Sequence, residues 1–492
     1  MPFHIRKLLK RNSVLFFIKY YINILFIILL FSYFIIPNEK NEYFQILMVF
    51  IAIFSIYLYY IYQVSYYSKF PWINISSLFI FGYFIVFFQV TILDIFGYVI
   101  PDRYFDFIWA DESIINISIY LSTLGLVSYF VGFFNKGKNK NIISKKTNSA
   151  TYLLTIGSYI FYILFFLTSG SYMYGEYNSG DASSLNVYFF KFFEVMLSAS
   201  IIVKLSHITS IKKSNISIFE YINFFGKPII LLTFWHVLFS LFVGDRGPVI
   251  SFVLLLFGIY FIRWNKTNII KIILIIFIAS SIMSIIGDIR LNRYSGESYS
   301  NRVIMAFQNL SSAEERTRPY DAKVPFSQTA ELAMSARTFN HVLYNIPKNY
   351  DYMYGLIQLK YIYSIIPGFS GVMTKLLYGD DYKYFDSANF TTYLIQGQFP
   401  LYGDGTSILS DFYIDFGIFG IIIGMYLFGL FTKRNEHKLF YNYQKPTLSF
   451  ISILILFSHS LYLSRSALLL DLANIILIYL VILVNKYIME EK

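Results

Sequence analysis

The sequence predicts an all-α polytopic membrane protein of about 12 transmembrane helices, with one large extracytoplasmic loop between the ninth and tenth. Three observations predict it. Of 492 residues, 56% are hydrophobic and only 14% are charged, whereas a soluble chain carries roughly a quarter charged residues. The apolar residues fall in stretches close to the ~20 residues a spanning helix needs. The formal charge of +11 sits in short clusters between those stretches, a pattern of membrane topology rather than of nucleic-acid binding. The absence of cysteine excludes a disulfide framework, a Cys-based metal centre and a thiol nucleophile.

Taken in order, the first span covers residues 14–36. It follows the basic segment MPFHIRKLLKR with no small-residue cleavage site after it, so it is expected to be retained rather than removed as a signal peptide. Further spans are expected at 43–62, 73–96, 113–134, 150–168, 187–205, 228–243, 248–262 and 269–286, then at 406–431, 447–463 and 467–486. Residues 287–405 have no such run. Within them, 328–345 has helical spacing, and 356–377 mixes apolar and aromatic residues with Lys360 and Lys375 around a break at Pro367 and Gly368. That second stretch fits an amphipathic element in the interface or one dipping partly into the membrane. The expected organisation is therefore an N-terminal bundle at 1–286, an extracytoplasmic cap at 287–405 and a C-terminal bundle at 406–492.

Orientation follows from the basic residues, because cytoplasmic loops are enriched in Lys and Arg. With the N-terminus inside, 24 basic residues fall on inner segments and inner helix ends, against four (Lys40, Arg103, Arg246, Arg465) in the five short outer loops. Both termini are thus expected in the cytoplasm.

The outer side differs in kind as well as number. It carries 9 Arg and 6 Lys, the inner side 4 Arg and 20 Lys. A guanidinium presents a planar fork of donors that grips a phosphate bidentately and stays charged at low dielectric. The outer side is therefore expected to meet an anion, although loop arginines such as Arg337 can equally pair with the eleven acids of the large loop. Arg246 lies in Gly244-Asp-Arg-Gly-Pro248, a very short turn between two apolar helices, where a charge is costly without a partner or a task. A pair with Asp245 would be the plainer explanation. Arg290 and Arg293 share one helical face just beyond the ninth span, and Arg465 occupies another outer turn. For proton transfer the candidates are His341, with the most suitable ordinary pKa, and the acids Asp404 and Asp411, beside Asp288 and Glu331. Acids at the start of the tenth helix can also simply favour its positive end. His459, within the eleventh span, fits either a core hydrogen bonder or a proton-handling residue.

Gly244-Asp-Arg-Gly247 opening a helix, the large late loop, and GDGTSILSDFYIDFGIFG at 403–420 before an apolar run together resemble the O-antigen and capsule repeat-unit polymerases of the Wzy class. The layout covers the whole chain, and the specific motifs cover only a small part of it. The resemblance implies a GT-C-type, metal-independent glycosyltransferase without a cofactor in the inner membrane, joining undecaprenyl-diphosphate-linked repeat units into O-antigen or capsular polysaccharide on the outer face. It implies Arg246 and Arg290, with Arg293 and Arg465 as weaker matches, as holders of the diphosphate. Its partners would be lipid-linked glycan donor and acceptor, membrane lipid and a chain-length regulator. The related O-antigen ligases usually place a histidine just before the helix bearing the Gly-x-x-Gly turn; here that neighbourhood reads Asp404-Gly-Thr406. A flippase or exporter would have charged residues lining its spans, whereas here they are sparse, Lys191 and Glu194 being the main pair. A polyprenyl-phosphate-sugar transferase would carry acidic ligands in a long first outer loop, which here is only 37–42.

Overall fold

The computed structural model describes residues 3–66, 73–98, 108–135, 151–170, 184–209, 216–243, 245–264, 332–379, 381–400, 402–436 and 446–490, with the single positions 301, 304, 329 and 439. Among them there are helices and turns and no strand. Eight helices are long and apolar enough to cross a membrane, and three shorter ones are equally apolar. In chain order the helices at predicted spans are α1 (Phe3–Ser32), α2 (Glu42–Tyr66), α3 (Ile75–Ile95), α4 (Ile115–Phe133), α5 (Tyr152–Thr168) and α6 (Ser184–Thr209). A short α7 (Ile218–Asn223) precedes α8 (Lys227–Val243) and α9 (Arg246–Arg263). Four helices form the described part of the cap: α10 (Ala336–Asn345), α11 (Leu356–Tyr363), α12 (Phe369–Tyr378) and α13 (Ser387–Gln396). The chain then returns through α14 (Ile408–Glu436), α15 (Leu448–His459) and α16 (Leu472–Glu490). The expected span at 269–286 lies outside the described residues.

Local chemistry starts these helices. Asn74 takes the Ser77 amide at 2.7 Å, Asp386 that of Asn389 at 2.7 Å, and Thr447 that of Phe450 at 3.3 Å, so each satisfies an orphan donor of a first turn. Gly368, at φ +81°, ends the connection before α12, where the Pro-Gly break was expected.

Cross-links define two opposite ends of the bundle. Lys40 pairs with Asp94 at 2.7 Å, and Asn116 donates to the carbonyls of Pro37 (2.9 Å) and Glu39 (2.6 Å). These tie the end of α1 and the starts of α2 and α4 to the end of α3. The cap docks on this same end, where Ser118 donates to Asn340 at 2.6 Å. At the other end Glu436 accepts from the backbone and hydroxyl of Ser76, and Lys433 meets Tyr62. The alternation of helix ends required by the hydropathy pattern is thus present through the first four helices and α14.

Among the described residues the apolar interior forms two large clusters and a small third one around Ile85, Ile108, Trp109 and Met334. One cluster joins α1 to α4 with α14 and the cap, through residues such as Phe79, Tyr129, Phe339 and Phe428. The second joins α5 to α9 with α15 and α16, through Phe193, Phe252, Ile259 and Phe457. Helix α4 is the axis of the first. Hydrocarbon tails give helices no hydrophobic reason to associate, so close packing at small residues must do it. Gly132 and Gly429 supply that packing: a Cβ at Gly132 would strike the Tyr426 carbonyl oxygen, and one at Gly429 the Tyr129 carbonyl oxygen.

Helix α14 is one predicted span but two helical pieces. Phe416 (φ −137°, ψ 15°) and Gly417 (φ 58°, ψ −140°) interrupt it, and only glycine takes the second conformation without strain. The break releases carbonyls of the preceding turn. Met353 and Tyr354 supply the missing donors, giving their amides to Ile414 (2.9 Å) and Asp415 (3.0 Å).

Candidate functional site

Two polar clusters stand out on the cap side. The first lies where the cap meets α14. Asp404, almost wholly buried, takes Nε of Arg337 at 2.7 Å and Nη2 at 2.5 Å, together with the Gln396 amide at 2.5 Å. One turn inside α14, Asp411 accepts from the Tyr361 hydroxyl at 2.9 Å and from Gln358 Nε2 at 2.7 Å. Asp415 accepts the amides of Ile357 (3.1 Å) and Gln358 (2.9 Å), and so caps the first turn of α11. Burial first, and then the neighbouring Asp411 charge, push the Tyr361 phenol above its ordinary range, which keeps it a donor. Three buried carboxylates are therefore each held by cap donors. This arrangement can fix the cap on the membrane bundle.

The second cluster is a cavity enclosed by α6, α9, α15 and α16. Its polar lining is Glu194, Ser198, Ser251, Ser458, His459 and Asn474. His459 Nδ1 lies 2.7 Å from Asp471 Oδ2, and the imidazole side chain stays 34% exposed while Asp471 is 11% exposed. The charges of His459, Asp245, Lys191 and Asp471 all act on the Glu194 carboxyl. Asn474 stands in the first turn of α16, and α16 touches the cap helix α11, so the cavity lies toward the cap end.

The backbone explains why there is a cavity here. Helix α15 has 12 residues and rises only about 18 Å, well short of the ~30 Å hydrocarbon thickness. Residues 460–471 consequently leave helical geometry at membrane depth. Such backbone is tolerated only where protein buries it or a polar cavity borders it. Both hold: Gly82 of α3 admits the Leu461 carbonyl so closely that a Cβ would collide with it, and His459 and Asp471 at the two ends of the segment form the dyad. The expected eleventh span of 447–463 thus stops at His459, and the twelfth begins at Leu472 rather than 467. Leu461–Leu463 and Ala467–Leu470 have spanning hydropathy but are used in turns.

Of the predicted site residues, Arg246 opens α9, half-buried, directly after Asp245, whose side chain accepts the Gly247 amide at 3.3 Å. Ser251 of the cavity follows five residues later, about 7.5 Å down the helix axis. The α9 residues that line the cavity, Ser251, Phe252 and Leu255, turn away from the face of Arg246, which is not part of that lining. Arg465 ends a 3-10 turn inside the 460–471 segment, against α3 and α14. Arg337, Asp404 and Asp411 belong to the cap junction, and His341 lies half-buried on α10, its carbonyl accepting from Asn345 at 2.8 Å. Arg290, Arg293, Asp288 and Glu331 lie outside the described residues. The residues that pattern reading passed over are Glu194, taken only as a partner of Lys191, and Asp471, absorbed into an apolar span. The available signal was an acid standing alone inside a spanning run, which is expensive without a function.

No curated protein and no solved structure matches the chain significantly. Residues 18–492, nearly its whole length, match the family described as O-antigen polysaccharide polymerase Wzy, and with its all-helical polytopic fold the chain belongs to that family.

Proposed function

We propose that the protein extends a glycan carried on undecaprenyl diphosphate by transferring it as a block onto a lipid-linked repeat unit, at the outer face of the bacterial inner membrane and with both termini in the cytoplasm. The observation that carries this reading is the family match over nearly the whole chain. It is supported by Arg246 in the first turn of α9 and by a polar cavity between α6, α9, α15 and α16. In this reading residues 287–405 are the extracytoplasmic cap between the bundles at 1–286 and 406–492. The cap helices α11 and α12 leave Ile366, Val372 and Leu376 exposed, an apolar edge suited to lipid.

The chemistry follows from charge. Breaking the bond between sugar and diphosphate puts negative charge on the departing oxygen, and guanidinium groups fixed in a water-poor site stabilise it without a metal or other cofactor. Arg246 is the first of these, with Arg290, Arg293 and Arg465 as further holders of the diphosphate. Arg337, Asp404 and His341 in the cap and Asp411 in the first turn of α14 have a part in turnover that is separable from their part in folding. A chain-length regulator is a further partner of the same reading.

The test is complementation of a polymerase-deletion strain, read on a gel of the surface glycan. Deletion should remove the ladder and leave a single repeat on the lipid acceptor, and Arg246→Ala should do the same. Arg246→Lys, which keeps the charge but loses the fork, should restore only short chains. A full ladder from Arg246→Ala would remove Arg246 from the site, and loss of all surface repeats on deletion would point to transport or ligation.

A further inference from the structure

The cavity between α6, α9, α15 and α16 holds a base-like pair that the polymerase reading alone does not use. We propose that His459 takes the proton from the acceptor sugar's hydroxyl, with Asp471 positioning the imidazole and Glu194 on the facing wall receiving a hydrogen bond from the same sugar; this rests on the polymerase reading above. An ionised carboxylate has only acceptors, so the 2.7 Å contact between Asp471 Oδ2 and His459 Nδ1 places the ring proton on Nδ1. In the neutral ring Nε2 then carries the lone pair. That is the tautomer a general base requires, and a carboxylate also stabilises the imidazolium that forms.

Depth and surroundings agree with this role. A charged dyad at membrane depth is costly unless a polar space receives it, and a cavity lined by Ser198, Ser251, Ser458 and Asn474 is such a space. The charged groups that act on Glu194 come from the surrounding elements: Lys191 on α6, Asp245 before α9, His459 on α15 and Asp471 before α16. The step balances without a co-reactant. The acceptor O–H gives its proton to Nε2, and its oxygen forms a bond to the donor's anomeric carbon. The bond from that carbon to the diphosphate oxygen breaks, its electron pair leaving on undecaprenyl diphosphate, and the imidazolium returns its proton to water.

The experiment uses the full-length protein in detergent with lipid-linked repeat units extracted from the deletion strain. His459→Ala and the closer-sized His459→Gln should each lower kcat by about 100-fold or more, the range of general base catalysis, with little change in KM. Added imidazole should restore part of the His459→Ala rate, which a structural histidine would not show. Asp471→Asn, which permits the wrong tautomer, should lower kcat at near-constant KM, and Asp471→Glu should recover part of it. Wild-type turnover together with normal turnover in both folded His459 variants would overturn this assignment and leave the polymerase reading intact. A wild-type protein that joins no units would overturn the reading and the assignment together. If both His459 variants fail to fold, an Asp471→Asn protein of normal kcat overturns the assignment and one of reduced kcat at constant KM supports it.

Discussion

Arg337 and Asp404 were both visible as candidate site residues, but their meeting across 67 positions of chain was not, because nothing in a local pattern encodes a pair that far apart. Removing one member of a buried ion pair leaves an uncompensated charge and costs about 3–5 kcal/mol, whereas replacing both with apolar groups is often neutral. Arg337→Ala and Asp404→Ala should therefore each lower the thermal midpoint, and Arg337→Met combined with Asp404→Leu should recover most of the loss. Single variants that melt normally and lose only turnover would move the pair from support to chemistry. Lys360 offers a second check. Burial lowers it to about 8, and the Asp386 charge opposes that only in part. The unfolded chain, with an ordinary lysine near 10.4, binds more protons between about pH 8 and 10.4, so this group's contribution to stability increases as pH rises through that window. The stability difference between wild type and Lys360→Met should shift toward wild type from pH 8 to 10; a flat difference refutes it.

Helices were the most legible feature because a span must be continuous and apolar, and that demand is written locally. Eleven of the expected spans coincide with described helices to within a few residues at most ends. The failures are instructive. Hydropathy could not see the break at Phe416 and Gly417, since the run stays apolar across it apart from Asp411 and Asp415 on one side, nor the early stop at His459, since the turns of 460–471 are built largely from leucine and serine. It also could not say which helices touch. The contact of α4 with α14 depends on glycine, so Gly132→Leu or Gly429→Leu should separate them. A backbone collision admits no side-chain adjustment; loss of folded protein in detergent chromatography is expected, and a normal monodisperse yield would show that the helices sit farther apart.

The described residues pack as two large apolar clusters and one small one, and the sequence alone offered a different division, into bundle, cap and bundle, based on hydropathy rather than on contact. The two divisions answer separate questions, one about the membrane and one about packing. The side of the membrane is testable because the chain has no cysteine of its own. Asn349→Cys, exposed in the cap, should react with an impermeant maleimide in intact spheroplasts, and Glu490→Cys at the end of α16 only after permeabilisation. The reverse pattern would invert the proposed topology. The main-chain bonds from Met353 and Tyr354 to Ile414 and Asp415 carry one more implication. They weld the cap to the first two turns of α14, so it has no freedom to flap on its own linker. Any swing would have to take those turns along and also break the bonds of Asn340 to Ser118 and to the Ile108 carbonyl, so the described part of the cap is a fixed wall rather than a lid.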